Sequence, residues 1–308
     1  MQTIRSWALA FGVVTAMVSS AGAQQAFKSP EEAGDALIAA LRAGDAKAIS
    51  HVLGPDAAEI TSSGDKVQDE NTRKLVLAAY DAKHSITKNS TGQSFLTVGE
   101  NEFPLPIPLV EKGGSWRFDT VAGREEILYR RIGRNELATI EAALAYVDAQ
   151  NDYAEMAPSG TGVYAQRIVS SPGKKDGLYW PTADGEPQSP LGEAVAAATL
   201  RGYRVGGPPA PFHGYYFKVL TRQGPTAPGG VLNYIVKGKM MGGFALVAYP
   251  AQYGNSGVMT FLVNHNGDVF EKDLGARTSQ IAGMMSSYNP DRTWRKVAVT
   301  EVESPPQK

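Results

Sequence analysis

Apolar and polar residues alternate in three different ways along this chain. The middle stretch, Glu125 to Met156, organises the other two: it is a long run without Gly-Pro punctuation, interrupted only by Gly133. Within it Leu137, Ile140, Leu144 and Val147 recur at helical spacing, the stripe of an amphipathic helix laid on a core. This helix is predicted to be the spine of a carboxy-terminal unit.

Upstream the pattern is helical and then alternating. Ser29-Pro30-Glu31-Glu32 carries a capping residue, a first-turn proline and a capping-box glutamate. It predicts a helix with Ala33, Leu37, Ala40 and Leu41 inward, ended by Gly44. Asp45 is expected to cap a second helix that closes at Gly54-Pro55. A third is predicted over Asn71 to Ala82, with Leu75, Ala79 and Tyr80 inward. Phe95 to Val98 reads as a strand. Leu105, Ile107 and Leu109, alternating with three prolines, read as a strand whose missing donors face a sheet edge. Lys112-Gly113-Gly114 predicts a hairpin turn into Ser115 to Asp119, where Trp116 and Phe118 share a face.

Downstream, residues 158–211 are rich in Gly, Pro and Ser and poor in strand pattern, with a helix expected only over Leu191 to Leu200. A segment of that length with little regular structure marks a functional surface. From Gly214 the period shortens to two. Tyr215 to Thr221, Asn233 to Lys237, Gly243 to Ala248, Val258 to Val263 and Asp268 to Asp273 predict an antiparallel meander. A short helix over Ser279 to Ser287 and a last strand over Trp294 to Val299 follow. The fold class is therefore α+β: a small helix-plus-antiparallel-sheet domain over residues 24–124, then a long spine helix packed on an antiparallel sheet over residues 125–308.

The first 23 residues stand apart. Arg5, the apolar run Trp7 to Val18 and Ala21-Gly22-Ala23 have the three-part pattern of a secretory signal, which predicts a mature chain beginning at Gln24. The apolar run is about 12 residues, short of the roughly 20 that span a bilayer; a retained anchor is the alternative. The expected location is periplasmic or secreted, with no transmembrane segment after cleavage. The chain has no cysteine, so neither a disulfide nor lipid attachment to a thiol is open to it. A formal net charge of −1 gives no global field for nucleic acid, which is not expected as a partner.

Three resemblances enter on particular residues. The element order of residues 24–124, with its Ser29 to Asp45 opening, resembles small cystatin-like or NTF2-like domains, many of which have no catalytic role. Arg134-Asn135-Glu136, the helix through Tyr153, Gly214-Tyr215-Tyr216-Phe217, Phe244 to Pro250 and Gly257 to Asn264 resemble type IV pilin and pseudopilin head domains over roughly residues 126–275. Unlike a pilin, this chain has a whole unit before the helix, and the charged entry Arg124 to Arg131 is unsuited to a filament core. Nearly everything after residue 23, including Ser170-Ser171-Pro172-Gly173, Gly177-Leu178-Tyr179 and Tyr288-Asn289-Pro290-Asp291, resembles the bacterial exported domain-of-unknown-function family 2950. That likeness implies no activity, cofactor or catalytic residue.

Candidate chemistry is sparse. Gly254-Asn255-Ser256-Gly257 lacks the second glycine of a nucleophile elbow, since Val258 stands there, and reads as a tight loop. His51, His84, His213 and His265 have no ligand spacing. Asn264, Asn266 and Asp268 offer alternating oxygens towards calcium, but Asn266-Gly267 is equally a hairpin. Arg130, Arg131 and Arg134 are expected to pair with Glu125, Glu126 and Asp119. No catalytic residue, metal ligand or cofactor is assigned. The candidate binding surface is Lys174, Lys175, Tyr179 and Trp180, where aromatics stand beside charges; the bland alternative is that Tyr179 and Trp180 cover the spine helix. The preferred function is a non-catalytic envelope module that binds or scaffolds an envelope protein or glycan. The alternative is an envelope hydrolase with a site between the two domains.

Overall fold

The computed structural model describes residues 24–90, 92–156, 162–183, 185–192, 194–195 and 210–298. Residues 1–23, where the signal is predicted, lie outside them. The described chain is α+β, with helices and several mainly antiparallel sheets.

Four helices come first: α1 (Pro30–Ala43), α2 (Ala46–Leu53), α3 (Ala57–Thr61) and α4 (Lys66–Ala82). The Ser29 hydroxyl accepts the Glu32 N–H, the first half of the capping box, while the Glu32 carboxylate accepts the N–H of Lys28, one residue before the cap. Gly44 ends α1 at φ 64°, a left-handed conformation that costs glycine little. The Asp45 carboxylate takes the Lys47 N–H and starts α2. α4 begins earlier than Asn71 because Asp65 caps it, accepting from Val67 and Gln68. Its Tyr80 is buried, but Leu75 is 71% exposed and not inward. The five-residue α3 is too short to register as a periodicity.

The first sheet contains β1 (His84–Lys88), β2 (Ser94–Val98), β3 (Phe103–Pro104), β4 (Leu109–Lys112) and β5 (Ser115–Phe118), in the order β1-β2-β4-β5 with β3 also on β2. The strand expected through the alternating prolines forms only at its ends. Pro104 pairs with Thr97 and pairing resumes at Leu109, because three residues without an N–H cannot sustain a ladder. Between them Ile107 enters the core as an irregular residue. Gly113-Gly114 make the predicted two-residue turn, both at positive φ, and Trp116 and Phe118 pack on α1 and α2.

The spine, α5 (Thr120–Met156), has 37 residues and starts before Glu125. Its buried line is not the one centred on Leu137, which is 65% exposed. The line runs instead through Arg131, Asn135, Thr139, Ala143, Tyr146 and Gln150. Ile140 and Leu144 are half-buried at its flank and Val147 is buried. The reason is what lies opposite. The first half of α5 faces backbone groups of α3, of the turn before α4 and of the loop before β12, all of which need polar partners.

The strands after residue 210 form three sheets. In chain order the elements are β6 (Tyr215–Leu220), β7 (Arg222–Gln223), β8 (Leu232–Asn233), β9 (Ile235–Val236), β10 (Lys239–Met240), β11 (Ala245–Pro250), β12 (Met259–Asn264), β13 (Val269–Asp273), α6 (Thr278–Met284), β14 (Ser287–Tyr288) and β15 (Arg295–Lys296). The main sheet, β15-β13-β12-β11-β6, is antiparallel as predicted, but the strand expected over Asn233 to Lys237 is not part of it and lies in the small sheets β14-β7-β8 and β10-β9. α5 packs on β11 and β12, and α6 packs on β11. The strand expected over Asn233 to Lys237 is split into β8 and β9, and the last strand shrinks to β15. Of the helix expected over Leu191 to Leu200, residue 193 and residues 196–200 lie outside the described set; Val195 N–H donates to the Leu191 carbonyl at 2.9 Å.

A polar seam fastens the amino-terminal elements to this second sheet. The Arg131 guanidinium donates to the carbonyls of Glu59 (3.1 Å), Ser62 (3.2 Å) and Ile60 and to the Asn255 side chain. Asn135 donates to the Ser256 carbonyl at 2.9 Å and accepts from Gln68 at 2.8 Å. Asp65 accepts the Gly214 N–H at 3.1 Å, and Glu136 accepts the N–H groups of Val258 and Met259, each at 2.9 Å. Gly257 is obligatory here, because a Cβ would stand 2.0 Å from the Tyr215 hydroxyl oxygen.

Candidate functional site

The Lys174–Trp180 loop is built by short-range bonds. Ser170 N–H donates to the Tyr179 carbonyl and Tyr179 N–H to the Ile168 carbonyl, both at 2.9 Å. These bonds bring residues 171 and 176 together. The Asp176 carboxylate then accepts the Ser171 N–H at 2.7 Å and the Ser171 hydroxyl at 2.9 Å. The Ser171 N–H, which stabilises the charged form, holds the Asp176 carboxyl below the usual aspartate range. Gly177 allows the close approach, since a Cβ there would sit 2.7 Å from the Ser170 nitrogen.

Of the four residues singled out in the loop, Lys174 and Lys175 are exposed and Tyr179 is half-buried. Trp180 is 7% exposed and edge-on to Tyr153 of α5, with ring centroids 6.4 Å apart. Lys175 Nζ lies 5.5 Å from the indole centroid, and the Tyr153 hydroxyl donates to the Lys175 carbonyl at 2.9 Å. Trp180 therefore takes the covering position against the spine, and the lysines form the outer surface of the loop.

Two anchors tie this region to α5. The fully buried Gln150 side chain pairs with the backbone of Ala165 in both directions, each bond 2.8 Å, and also donates to the Tyr146 hydroxyl at 2.9 Å. Leu191 N–H donates to the Leu178 carbonyl at 3.0 Å, which carries residues 188–190 back to the end of the helix. Between that segment and the last turn of α5 opens a cleft of about 730 Å³, lined among the described residues by Asp152, Glu155, Met156, Gln188, Ser189 and Pro190. This volume suits a small ligand.

The cleft has an unusual hydroxyl. Ser189 is 4% exposed, yet its Oγ has no hydrogen-bond partner. The nearby Trp180 indole N–H is also buried without one. Asp152 and Glu155, three residues apart on α5, are neighbours on one helix face, and neither forms an ion pair or side-chain hydrogen bond among the described residues. The carboxylate pair was visible in sequence only as a helical spacing. Ser189 gave no signal, because only the fold brings its segment to the end of α5.

Other candidates are accounted for structurally. Ser256 Oγ accepts the Gln252 N–H (2.9 Å) and faces its carbonyl (3.2 Å), so it fixes a turn. His84 stacks on Tyr80 at 3.8 Å, and His265 lies edge-on to Tyr234 and Phe244. Asn264 Oδ1 accepts from the N–H groups of Asn266 and Asp268, while Asp268 pairs with Lys296. Among the described residues no group of three or more His, Cys, Asp or Glu is placed to hold a metal ion. The arginine cluster divides: Arg130 pairs with Glu126 at 2.6 Å, whereas Arg131 is buried in the seam without a carboxylate partner. No described helix is long and apolar enough to cross a membrane.

A family model described as protein of unknown function (DUF2950) aligns with residues 24–297. No curated protein and no solved structure matches. The chain belongs to the DUF2950 family.

Proposed function

From that membership we propose that the chain is an exported, non-catalytic binding module of the bacterial envelope, periplasmic or secreted, which recognises an envelope protein or glycan through the end of α5. It has two structural units, residues 24–124 and 125–308, the second pilin-head-like in its succession of long helix and antiparallel sheet. Export rests on the three-part pattern of residues 1–23, and the family match begins at residue 24, the proposed mature terminus. The observation that carries the binding reading is the exposed pair Lys174 and Lys175 on a loop held against α5 through Trp180 and Tyr153.

Catalysis is less well supported by the same geometry. Asp152 and Glu155 come from one helical turn, so they do not flank a scissile bond from opposite sides as a hydrolytic carboxylate pair does. Between the two units, Asp65 and Glu136 are already engaged by backbone N–H groups.

The test is a photocrosslinker at position 174 or 175 of the full chain, expressed in its native host, with position 137 as an exposed control. The expected result is a defined adduct from the loop positions alone, on a mature chain beginning at Gln24. Adducts no different from those of position 137 would remove the binding reading. An intact Met1 would remove export.

A further inference from the structure

We infer that the β9–β10 hairpin, with the strand before it, is a docking surface for a bilayer that carries anionic phospholipid. It is a different surface from the Lys174 to Trp180 loop. β9 and β10 pair so that Ile235 lies opposite Met240 and Val236 opposite Lys239. Alternation sends these two pairs to opposite faces. Met240 is fully buried and Ile235 is half-buried against the core, so that pair roots the hairpin and leaves Val236 and Lys239 on the outer face. Around them Val231, Leu232, Val236 and Met241 are 42–74% exposed. Core packing does not account for these side chains, and covering them with an apolar phase is favourable.

Charge decides what that phase is. Residues 194–267 contain no aspartate or glutamate. Neither do residues 157–175, which meet the hairpin through the Tyr164–Met240 bridge and through the Gln166 side chain, 2.8 Å from the Gly238 carbonyl. Arg222, Lys237 and Lys239 are exposed and form no ion pair among the described residues. Lys237 occupies the turn itself at φ 50°, followed by Gly238 at φ 77°, a left-handed pair in which asparagine and glycine are the low-cost residues. A charge is thus held at the tip against a backbone preference. Aliphatic side chains beside unpaired cations match a membrane interface, where lipid phosphates border hydrocarbon. Two copies of such a tip repel each other. Its aliphatic residues offer no ring on which a nucleic-acid base could stack.

Vesicle flotation tests the inference, with the chain from Gln24 onward so that the apolar run Trp7 to Val18 cannot itself take up lipid. Vesicles of phosphatidylglycerol and phosphatidylethanolamine should carry the protein, vesicles of phosphatidylcholine alone should not, and raised salt should weaken the binding. The Lys237→Asn, Lys239→Gln double variant should bind roughly tenfold more weakly, since each lysine near an anionic surface contributes several-fold. Val236→Ser with Met241→Ser should also weaken binding. All four positions are exposed, so the unfolding midpoints should match the wild type. Because the chain has no cysteine, an environment-sensitive dye on Val236→Cys reports the contact cleanly, with Leu137→Cys as the control. Its emission should shift to the blue with anionic vesicles while the control stays unchanged. Equal binding to neutral vesicles, undiminished binding by the lysine variant, an equal response at position 137 or no vesicle binding would each overturn the inference. Self-association that the Val236→Ser, Met241→Ser variant abolishes would also overturn it, by giving the tip to a second copy of the chain.

Discussion

Replacing Gln150 by leucine tests how the irregular segment is held to the spine. Gln150 is fully buried, and its amide group pairs with the Ala165 N–H and carbonyl as a neighbouring strand would. Leucine has similar bulk but neither donor nor acceptor. It leaves both backbone groups of Ala165, itself 1% exposed, without partners and also strips one bond from the Tyr146 hydroxyl. Two orphaned buried backbone groups cost about 2–6 kcal/mol. The apolar side chain returns about 1–2 kcal/mol through burial. Taking the middle of both ranges, the net loss expected is about 2–3 kcal/mol, read as a lower urea midpoint at unchanged slope. Hydrogen exchange should localise it: amides 163–180 should lose protection while those of β11 and β12 retain it. Gln150→Glu keeps the shape and the acceptor but not the donated bond, and should also destabilise. A Gln150→Leu protein with the wild-type midpoint and a protected Ala165 amide would refute this account of how the loop and the cleft wall are anchored.

Two further outcomes follow from other contacts. Arg131→Met removes donors from three carbonyls and from Asn255 and should cost about 2–4 kcal/mol in thermal or urea unfolding, with Arg131→Lys recovering only part, since an ammonium lacks the guanidinium fork; an unchanged midpoint would place the strength of the seam elsewhere. Asp176 is depressed in the folded loop, so its contribution is complete above the ordinary aspartate pKa of about 3.9 and is lost as pH falls through the lower folded value. The Ser171 amide resonance should therefore titrate below that pH, and a midpoint at or above it would contradict the bond.

Much of the architecture was legible in sequence because local chemistry dictates it. Ser29, Gly44 and Asp45 mark helix ends, Gly113-Gly114 marks a hairpin, and turn residues separate the strands of the meander. The spine misled. Its hydrophobic stripe pointed to Leu137, whereas the first half of its buried side is Arg131, Asn135 and Thr139. A helix that faces another element's backbone needs donors and acceptors, and hydropathy reports those positions as surface. The prolines after Phe103 erred in the other direction, since alternation alone cannot make a strand without N–H groups. At the candidate site, the loop of Lys174 to Trp180 announced itself by composition. The cleft did not, because residues 188–190 come to the end of α5 only after Leu191 bonds to Leu178.

The length of α5 has a mechanical meaning. At about 1.5 Å per residue, Arg131 and Asp152 stand roughly 30 Å apart along a single rod. Whatever the amino-terminal unit touches is thereby kept at a set distance from whatever occupies the far end, and a push at one end is felt at the other without a flexible joint between. Such a part behaves as a spacer, and because its middle is packed on β11 and β12 through Thr139, Ala143 and Tyr146, the separation is fixed by the sheet as well as by the helix.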